Sequence, residues 1–325
     1  MSTPYIFMWC LSMVKSLKGK DFLTLADYTQ EELLFMLDTT RMLKERFYSG
    51  ERIVPVLYGR YLAMIFEKPS TRTRVSFEIA MKQLGGYALY LSWRDLQLGR
   101  GETIADTARV LSRYVDGIMA RVYEHRKLEE LAEYSDKPVI NGLSDLLHPA
   151  QALADIYTIL EKKGDPRRLK IVFIGDGRDN VLHSLLLGLG VIGAKLTISS
   201  PKGYDPDPWV LKRFDEISVE TNASYEIERD PIKAIKDADV VYTDVWVSMG
   251  QEKVAEKKIR DLSPYQVNVE LMKYAKPNAI FMHCLPAHRG QEVTDDVIDG
   301  KWSVVWDQAE NRLHAQKAIL ALLIP

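Results

Sequence analysis

Apolar and polar positions follow one another along the chain in a strand-then-helix order. An apolar run at residues 61–66 predicts a buried strand, and apolar positions at helical spacing follow it up to Gly85-Gly86. Upstream, Thr29 and Glu32 have the spacing of a capping box and predict an amphipathic helix. Further short apolar runs predict strands at residues 87–91, 117–120, 139–140, 170–174, 195–199, 223–227, 240–243 and 279–282.

The length of the chain favours two domains. Its 325 residues suffice for two units of about 150 residues each. We place the boundary on a helix opened by His148-Pro149, so that residues 1–150 form the first domain and residues 151–306 the second. The C-terminal helix, residues 307–325, is expected to pack back on the first domain.

Strands that alternate with helices pair in parallel and are covered by helices. The sequence therefore predicts an α/β fold with two α/β domains of similar size, each a parallel sheet with helices on both faces. Ligands of such sheets bind beyond the carboxyl ends of the strands. We accordingly expect an active site in the cleft between the two domains.

Charge and cysteine content narrow the classes of function. A net charge of −2 and a pI near 6.3 give no indication of nucleic acid or an anionic membrane as partner. Two distant cysteines, Cys10 and Cys284, favour a reducing cytoplasm. The apolar segment at residues 5–13 is too short to span a bilayer and lacks the flanks of a signal peptide. Whether residues 1–12 belong to the mature chain is open; if present, their apolar side chains favour subunit contact.

The densest polar motif follows the first predicted strand. Three hydroxyls and two guanidinium groups lie between the end of this strand and the start of the helix that follows, in Ser70-Thr71-Arg72-Thr73-Arg74. Free N–H groups and the helix dipole favour an anion there, and arginine can bind two of its oxygens. A capping serine beside solvated arginines is the simpler alternative, but one cap needs only one hydroxyl. The motif predicts a phosphate-sized ligand.

Other polar residues also come directly after predicted strands or at the start of a helix. Arg121 follows the strand at 117–120, His148 and Gln151 flank Pro149, and Asp244 follows the strand at 240–243. Taken singly, Arg121 could be a surface residue and His148 a helix cap. Asp244 is a candidate partner for a cationic amine, and the charged stretch that follows it could form a lid or a solvated helix.

Two motifs argue against common cofactors. Gly175-Asp176-Gly177 lacks the third glycine of a dinucleotide fingerprint, so we interpret it as a loop that presents Asn180. Cys284 stands between two histidines, but a structural zinc site usually needs four ligands. We therefore predict no metal and no cofactor, and Cys284 as a polar contact at the site or simply a small buried residue.

In combination these motifs resemble the ornithine carbamoyltransferase family. The resemblance runs from about Val14 to the end of the chain. It rests on the Ser-Thr-Arg-Thr-Arg motif, on His148-Pro149-Ala150-Gln151, on Asp244 with Ser248-Met249-Gly250, and on the run from His283 to Gly290. The first two motifs are common to carbamoyltransferases, and the last two mark the ornithine branch.

The resemblance implies roles for individual residues. The carbamoyl phosphate site would comprise Ser70, Thr71, Arg72, Thr73, Gln97 (supplied by a neighbouring subunit), Arg121, His148, Gln151, Cys284, Leu285 and Arg312. The ornithine site would comprise Asn180, Asp244, Ser248 and Met249. The catalytic residues would be Arg121, His148, Asp244 and Cys284. The family usually carries two asparagines where this chain has Asp179-Asn180, so an altered local charge is expected.

The implied activity is transfer of the carbamoyl group of carbamoyl phosphate to the δ-amine of ornithine in a homotrimer. Biosynthetic and catabolic roles, and assembly of trimers into larger particles, are both open. The same transfer to a different acceptor, such as aspartate, putrescine or an acetylated ornithine, would need little change in chemistry. Two other classes of protein are competing interpretations of the sequence. One is an NAD-linked oxidoreductase, which the poor glycine fingerprint disfavours, and the other is a non-catalytic protein that binds an anionic metabolite.

Overall fold

The computed structural model describes residues 16–247 and 255–325. Two predicted ornithine contacts, Ser248 and Met249, and the apolar N-terminal segment lie outside these residues. The chain divides into two compact units. The first contains residues up to Ala150 together with Leu313–Pro325, and the second contains Gln151–Arg312.

The first unit is built on a parallel sheet. Among its described residues, four strands lie in the order β2-β1-β3-β4. The strands are β1 (Tyr61–Phe66), β2 (Tyr87–Ser92), β3 (Gly117–Arg121) and β4 (Val139–Leu143). The helices are α1 (Gln30–Tyr48), α2 (Thr71–Gln83), α3 (Ile104–Leu111) and α4 (Arg126–Tyr134).

Local sequence determines where the first helices begin. At the start of α1 the Glu32 N–H donates to Thr29 Oγ1 over 3.2 Å, and the Thr29 N–H donates to the Glu32 carboxylate over 3.0 Å. This reciprocal pair is the predicted capping box and satisfies N–H groups that a helix start leaves unpaired.

The end of the chain belongs to the same unit, where Lys317 Nζ donates to the Leu43 carbonyl.

The second unit carries a separate parallel sheet. In the part of the chain that the structure describes, five strands lie in the order β7-β6-β5-β8-β9. The strands are β5 (Ile171–Ile174), β6 (Lys195–Ser199), β7 (Ser224–Ile227), β8 (Val240–Tyr242) and β9 (Ile280–Met282). The helices that lie wholly within it are α6 (Asn180–Ile192), α7 (Pro208–Thr221), α8 (Pro231–Ile235), α9 (Ala255–Leu262), α10 (Val269–Met272) and α11 (Asp295–Ile298). Helix α5 (Pro149–Lys163) begins at the end of the first unit and continues into the second, and α12 (Val305–Leu323) begins in the second unit and ends in the first.

The predicted α/β class is confirmed, with both sheets parallel and flanked by helices. The hydrophobic pattern did not predict α4, α7 or the short helices α8, α10 and α11. In α7 only Val210 and Phe214 are buried, so its apolar stripe is narrow and hard to distinguish from a loop. Of the helices in residues 16–247 and 255–325, none has the length and hydropathy that a membrane crossing requires.

Close packing of α6 on α7 depends on a small residue, Gly190. A Cβ atom at this position would lie 2.9 Å from two ring carbons of Phe214. We expect Gly190→Ala to lower the free energy of unfolding by about 1–3 kcal/mol, because a well-packed interior yields little to added volume. Guanidinium unfolding measures the effect. The same substitution in a Phe214→Leu background should cost less than half as much, and equal costs in the two backgrounds would contradict this steric explanation.

Candidate active site

The first candidate site lies where the strand order of the first unit reverses. The chain passes from β1 through α2 to β2 on one side of β1, whereas β3 pairs with β1 on the other side. Ligands of parallel sheets bind at the carboxyl ends of strands that flank such a reversal. Phe66 and Arg121, the last residues of β1 and β3, are paired there. The sequence pattern placed Arg121 just after the strand, whereas the structure makes it the final residue of β3.

Several of the predicted phosphate ligands meet at this edge. Ser70 caps α2 and accepts a hydrogen bond from the Thr73 N–H over 3.3 Å. The buried Arg121 guanidinium donates to the Thr73 hydroxyl over 3.5 Å, which ties the end of β3 to the first turn of α2. Arg72, in the same turn, is half-buried and Thr71 is exposed. The arrangement joins a helix N-terminus to guanidinium groups, which suits an anion.

A further cation, Lys68, belongs to this edge and was not among the predicted site residues. It is buried, and its Nζ lies 4.3 Å from the centre of the Tyr123 ring. Burial lowers the pKa of Lys68, and the positive charge of Arg121 lowers it further. A lysine directly after a buried strand was the sequence signal that could have identified it.

The remaining predicted residues of the first unit differ in environment. His148 is buried directly before Pro149, the first residue of α5. Gln97 is exposed on a short 3-10 helix at Gln97–Arg100.

The second unit has its own reversal of strand order. The chain leaves β5 through α6 to β6 on one side, and β8 pairs with β5 on the other. Gly175 follows β5 and Asp244 lies just beyond β8, so both come after strands that flank the reversal. His283 and Cys284 follow β9, the neighbour of β8.

Asp244 and Cys284 form the chemical centre of this second site. The side-chain donor atoms of Asp244, His283 and Cys284 lie within 4.8 Å of one another. Burial raises the pKa of Asp244 well above its ordinary value, and the charge of Asp179 adds to the effect. Burial also raises the pKa of the Cys284 thiol, as does the charge of Asp244. A cation is therefore the kind of ligand that would favour ionised Asp244 here.

His283 orders the chain around Cys284. Its Nδ1 accepts a hydrogen bond from the Leu285 N–H over 2.9 Å, so the proton of a neutral ring belongs on Nε2, which lies 3.1 Å from Glu292 Oε1. Both ring nitrogens thus have partners within the protein. A metal ion held by Asp244, His283 and Cys284 through Nδ1 would have to break the bond to Leu285.

The loop after β5 presents Asn180 as the first residue of α6. Asp179 is its N-cap and accepts hydrogen bonds from the N–H groups of Val181 and Leu182 over 2.8 and 2.9 Å. The Asp179 carboxylate, for which an altered local charge is expected, is therefore buried in a capping role. Burial raises its pKa to about 7, with a further contribution from the charge of Asp176.

Gln151 and Arg312 are both buried in the second unit. Gln151 Nε2 donates to Asp155 Oδ1 over 2.8 Å. The positive charge of Arg312 lowers the pKa of the same carboxyl. Asp155 was not predicted as a site residue. Its spacing of four residues from Gln151 on one helix was the available signal.

Asp179 should make stability depend on pH. Between the ordinary carboxyl pKa and about 7 the folded protein binds more protons than the unfolded chain, so this group's stabilising contribution is lost as the pH rises through 7. Asp179→Asn keeps the cap but does not ionise. Its free energy of unfolding relative to that of the wild type should therefore be higher at pH 8 than at pH 4.5, by roughly 1 kcal/mol or more. Guanidinium unfolding at both pH values measures this gain.

Asp207→Asn is the matched control, because Asp207 caps α7 in the same way, accepting from the Trp209 N–H, at a more exposed position. It should show a much smaller change between the two pH values. If the free energies of unfolding of the wild type and Asp179→Asn changed equally between the two pH values, the expectation would be contradicted.

Comparisons with known proteins match both units. The aspartate/ornithine carbamoyltransferase model of the carbamoyl-P binding domain matches residues 20–161, and that of the Asp/Orn binding domain matches residues 167–323. An ornithine carbamoyltransferase from Staphylothermus marinus is 74% identical over 96% of this chain and 100% of its own length.

Two further matches come from Pyrococcus furiosus. A protein named "Ornithine carbamoyltransferase, anabolic" is 60% identical over 96% of this chain and 98% of its own length. The solved structure of ornithine carbamoyltransferase from this organism has a TM-score of 0.92 and 60% identity, covering 96% of this chain and 99% of that one. The chain therefore belongs to the aspartate/ornithine carbamoyltransferase family.

Proposed function

We propose that this protein transfers the carbamoyl group of carbamoyl phosphate to the δ-amine of L-ornithine, forming L-citrulline and phosphate. The observation that carries the proposal is the joining of the Ser70-capped helix start to Arg121 through the Thr73 hydroxyl. The names of relatives at 60–74% identity support ornithine as the acceptor.

In this proposal the phosphate of carbamoyl phosphate binds at the start of α2 in the first unit. Ser70, Thr71, Arg72 and Thr73 hold the phosphate, with Gln97 of a neighbouring subunit and Arg312 completing the anion site. Arg121, His148 and Gln151 surround the carbamoyl group, and Cys284 and Leu285 border it. The match of residues 20–161 to the carbamoyl-P binding domain supports the assignment.

The second unit binds ornithine. Asn180, Asp244, Ser248 and Met249 are the proposed contacts, with the Cys284 thiol beside the δ-amino group. The raised pKa of Asp244 suits a site whose natural occupant is a cation, because an ammonium group would stabilise the ionised carboxylate. The match of residues 167–323 to the Asp/Orn binding domain supports this half.

The chemistry requires the two substrates to meet with the amine uncharged. Its nitrogen attacks the carbonyl carbon, the C–N bond forms, and the former carbonyl oxygen carries negative charge in the tetrahedral intermediate. Arg121, His148 and the Thr73 hydroxyl stabilise this oxyanion, and loss of one such donor costs on the order of 3 kcal/mol. The C–O bond to phosphate then breaks. The phosphate leaves paired with Arg72 and accepts the amine proton. Neither a metal nor a cofactor is assigned a role in these steps.

We further propose a biosynthetic role in the cytoplasm. The word "anabolic" in the name of the Pyrococcus furiosus relative supports the direction, and the scarcity of cysteines supports the compartment. Aspartate, putrescine and an acetylated ornithine are the acceptors to compare with ornithine in the assay.

A citrulline assay on the purified protein tests the function, and Arg72→Gly tests the anion site. We expect the wild type to form citrulline with ornithine, far more slowly with the other acceptors, and Arg72→Gly to lose turnover by at least about 1,000-fold because the leaving phosphate loses its paired cation. Lys82→Gly removes an exposed charge near the other end of α2 and is the matched control. Retained turnover in Arg72→Gly, or equal losses in both variants, would contradict the scheme.

We propose a homotrimer whose contacts involve the first unit. Strand β2 lies at the edge of its sheet and exposes apolar side chains, and the adjacent helix α2 exposes more. Exposed fractions are 55% for Tyr87, 48% for Leu89, 38% for Tyr90, 52% for Val75 and 36% for Ile79. A sheet edge of this kind is an association surface. A trimer would also let Gln97 reach a neighbouring site.

The solution mass tests the assembly. We expect light scattering to give at least three times the chain mass of 37.2 kDa, with a multiple of three chains if trimers assemble further. Leu89→Glu should lower both the mass and the activity, because the charge opposes burial of this edge. Val219→Glu, at an 82% exposed position on α7, should change neither. A monomeric wild type, or an unchanged mass for Leu89→Glu, would contradict the proposed interface.

A further inference from the structure

A fully buried carboxylate on α5, Asp155, is the centre of a hydrogen-bond cluster within the second unit. Its Oδ1 accepts from Gln151 Nε2 over 2.8 Å and from Gln308 Nε2 over 2.7 Å. Its Oδ2 accepts from the Tyr242 hydroxyl over 3.0 Å. Nothing in the proposed reaction uses this carboxylate directly.

An ionised carboxylate accepts hydrogen bonds and donates none. The two glutamine amides that face Asp155 must therefore present their NH2 groups to it and direct their carbonyl oxygens elsewhere. For Gln308 the consequence is visible, since its Oε1 accepts the His283 backbone N–H over 2.9 Å, one residue before Cys284. Burial raises the pKa of Asp155 to about 6. Its three hydrogen bonds and the positive charge of Arg312 act in the opposite direction and lower the pKa. The carboxyl is therefore mainly ionised at neutral pH.

The same restriction applies to Gln151. Its Nε2 is occupied by Asp155, and its Oε1 is a buried acceptor to which no residue in the described part of the chain donates a hydrogen bond. A buried carbonyl oxygen without a donor is costly unless a ligand supplies one. The amino group of a carbamoyl moiety is a donor of the required kind.

We propose that Asp155 is a positioning residue that fixes the orientation of the Gln151 amide, so that Gln151 Oε1 accepts a hydrogen bond from the carbamoyl NH2 group. The inference rests on the proposed function. Asp155 itself touches neither substrate in this scheme and acts through Gln151. If the amide turned over, its NH2 would face the carbamoyl NH2 and the contact would become repulsive.

Two substitutions at Asp155 test the role. Asp155→Leu removes every acceptor at similar volume and should lower kcat/KM for carbamoyl phosphate by about 100-fold. Asp155→Asn keeps one acceptor oxygen and is the variant to use if Asp155→Leu does not fold; about a tenfold loss is expected. Inorganic phosphate carries no carbamoyl group, so its inhibition constant should stay within about twofold in both variants.

A double-mutant cycle shows whether the effect passes through Gln151. In a Gln151→Ala background, Asp155→Asn should lower kcat/KM for carbamoyl phosphate by a clearly smaller factor than in the wild-type background, because the Gln151 amide is absent and only the Gln308 amide remains to be oriented. Thr158→Val is the matched control: it removes the acceptor of the 3.0 Å hydrogen bond from Asn311 at another buried polar position on α5. It should lower the melting temperature and leave kcat/KM unchanged.

Three results would overturn the proposal. They are wild-type kinetics in Asp155→Asn, an equal weakening of carbamoyl phosphate and inorganic phosphate, and an equal loss in the two backgrounds of the cycle. Each concerns a ratio among variants of an active enzyme. Absence of citrulline formation by the wild type would instead refute the proposed function, so the two failures are distinguishable.

Discussion

Parallel strand pairing is the constraint on which both candidate sites depend. In each unit one strand sends its connection to one side and pairs with a later strand on the other, so that two chain segments diverge beyond adjacent carboxyl ends. Between β1 and β3 this geometry brings a helix start and Arg121 to one edge. Between β5 and β8 it places Gly175 and Asp244 after adjacent strands. Polar side chains from residues that are far apart in sequence therefore lie at these reversals of strand order.

The two units use that geometry with opposite electrostatics. The first gathers cations and backbone N–H groups, and Lys68 adds a positive charge that is already disfavoured by burial and by Arg121. The second buries carboxylates at Asp155, Asp179 and Asp244, each with a raised pKa. Buried charge is costly unless hydrogen bonds or a counter-ion offset it. A ligand of opposite charge would offset part of this cost: an anion in the first unit and a cation in the second.

Hydrogen-bond direction is as important as charge in the second unit. His283 accepts from the Leu285 N–H at Nδ1 and is held at its own N–H by Gln308, so the chain that carries Cys284 is fixed from two sides. Gln308 is in turn oriented by Asp155, which also holds Gln151. One buried carboxylate thus connects the start of α5, α12 and the segment after β9. Buried hydrogen bonds therefore fix the position of the segment after β9 relative to α5.

Much of the fold, and the strand ends and helix starts that carry the candidate site residues, were determined locally and could be predicted from the sequence. The alternation of apolar runs indicated the parallel α/β class, the Thr29–Glu32 spacing indicated the start of α1, and the position of Ser70 before a helical repeat indicated the capped start of α2. Helices α4 and α7 were missed because a narrow apolar stripe carries too weak a period. What only the tertiary structure decided is which groups share a buried environment: the place of Lys68 beside Arg121, the capping role of Asp179, and the Asp155 cluster, in which hydrogen-bonded partners lie up to 153 residues apart. Burial, proton affinity and hydrogen-bond direction are set by neighbours in space, and a linear pattern does not contain those neighbours.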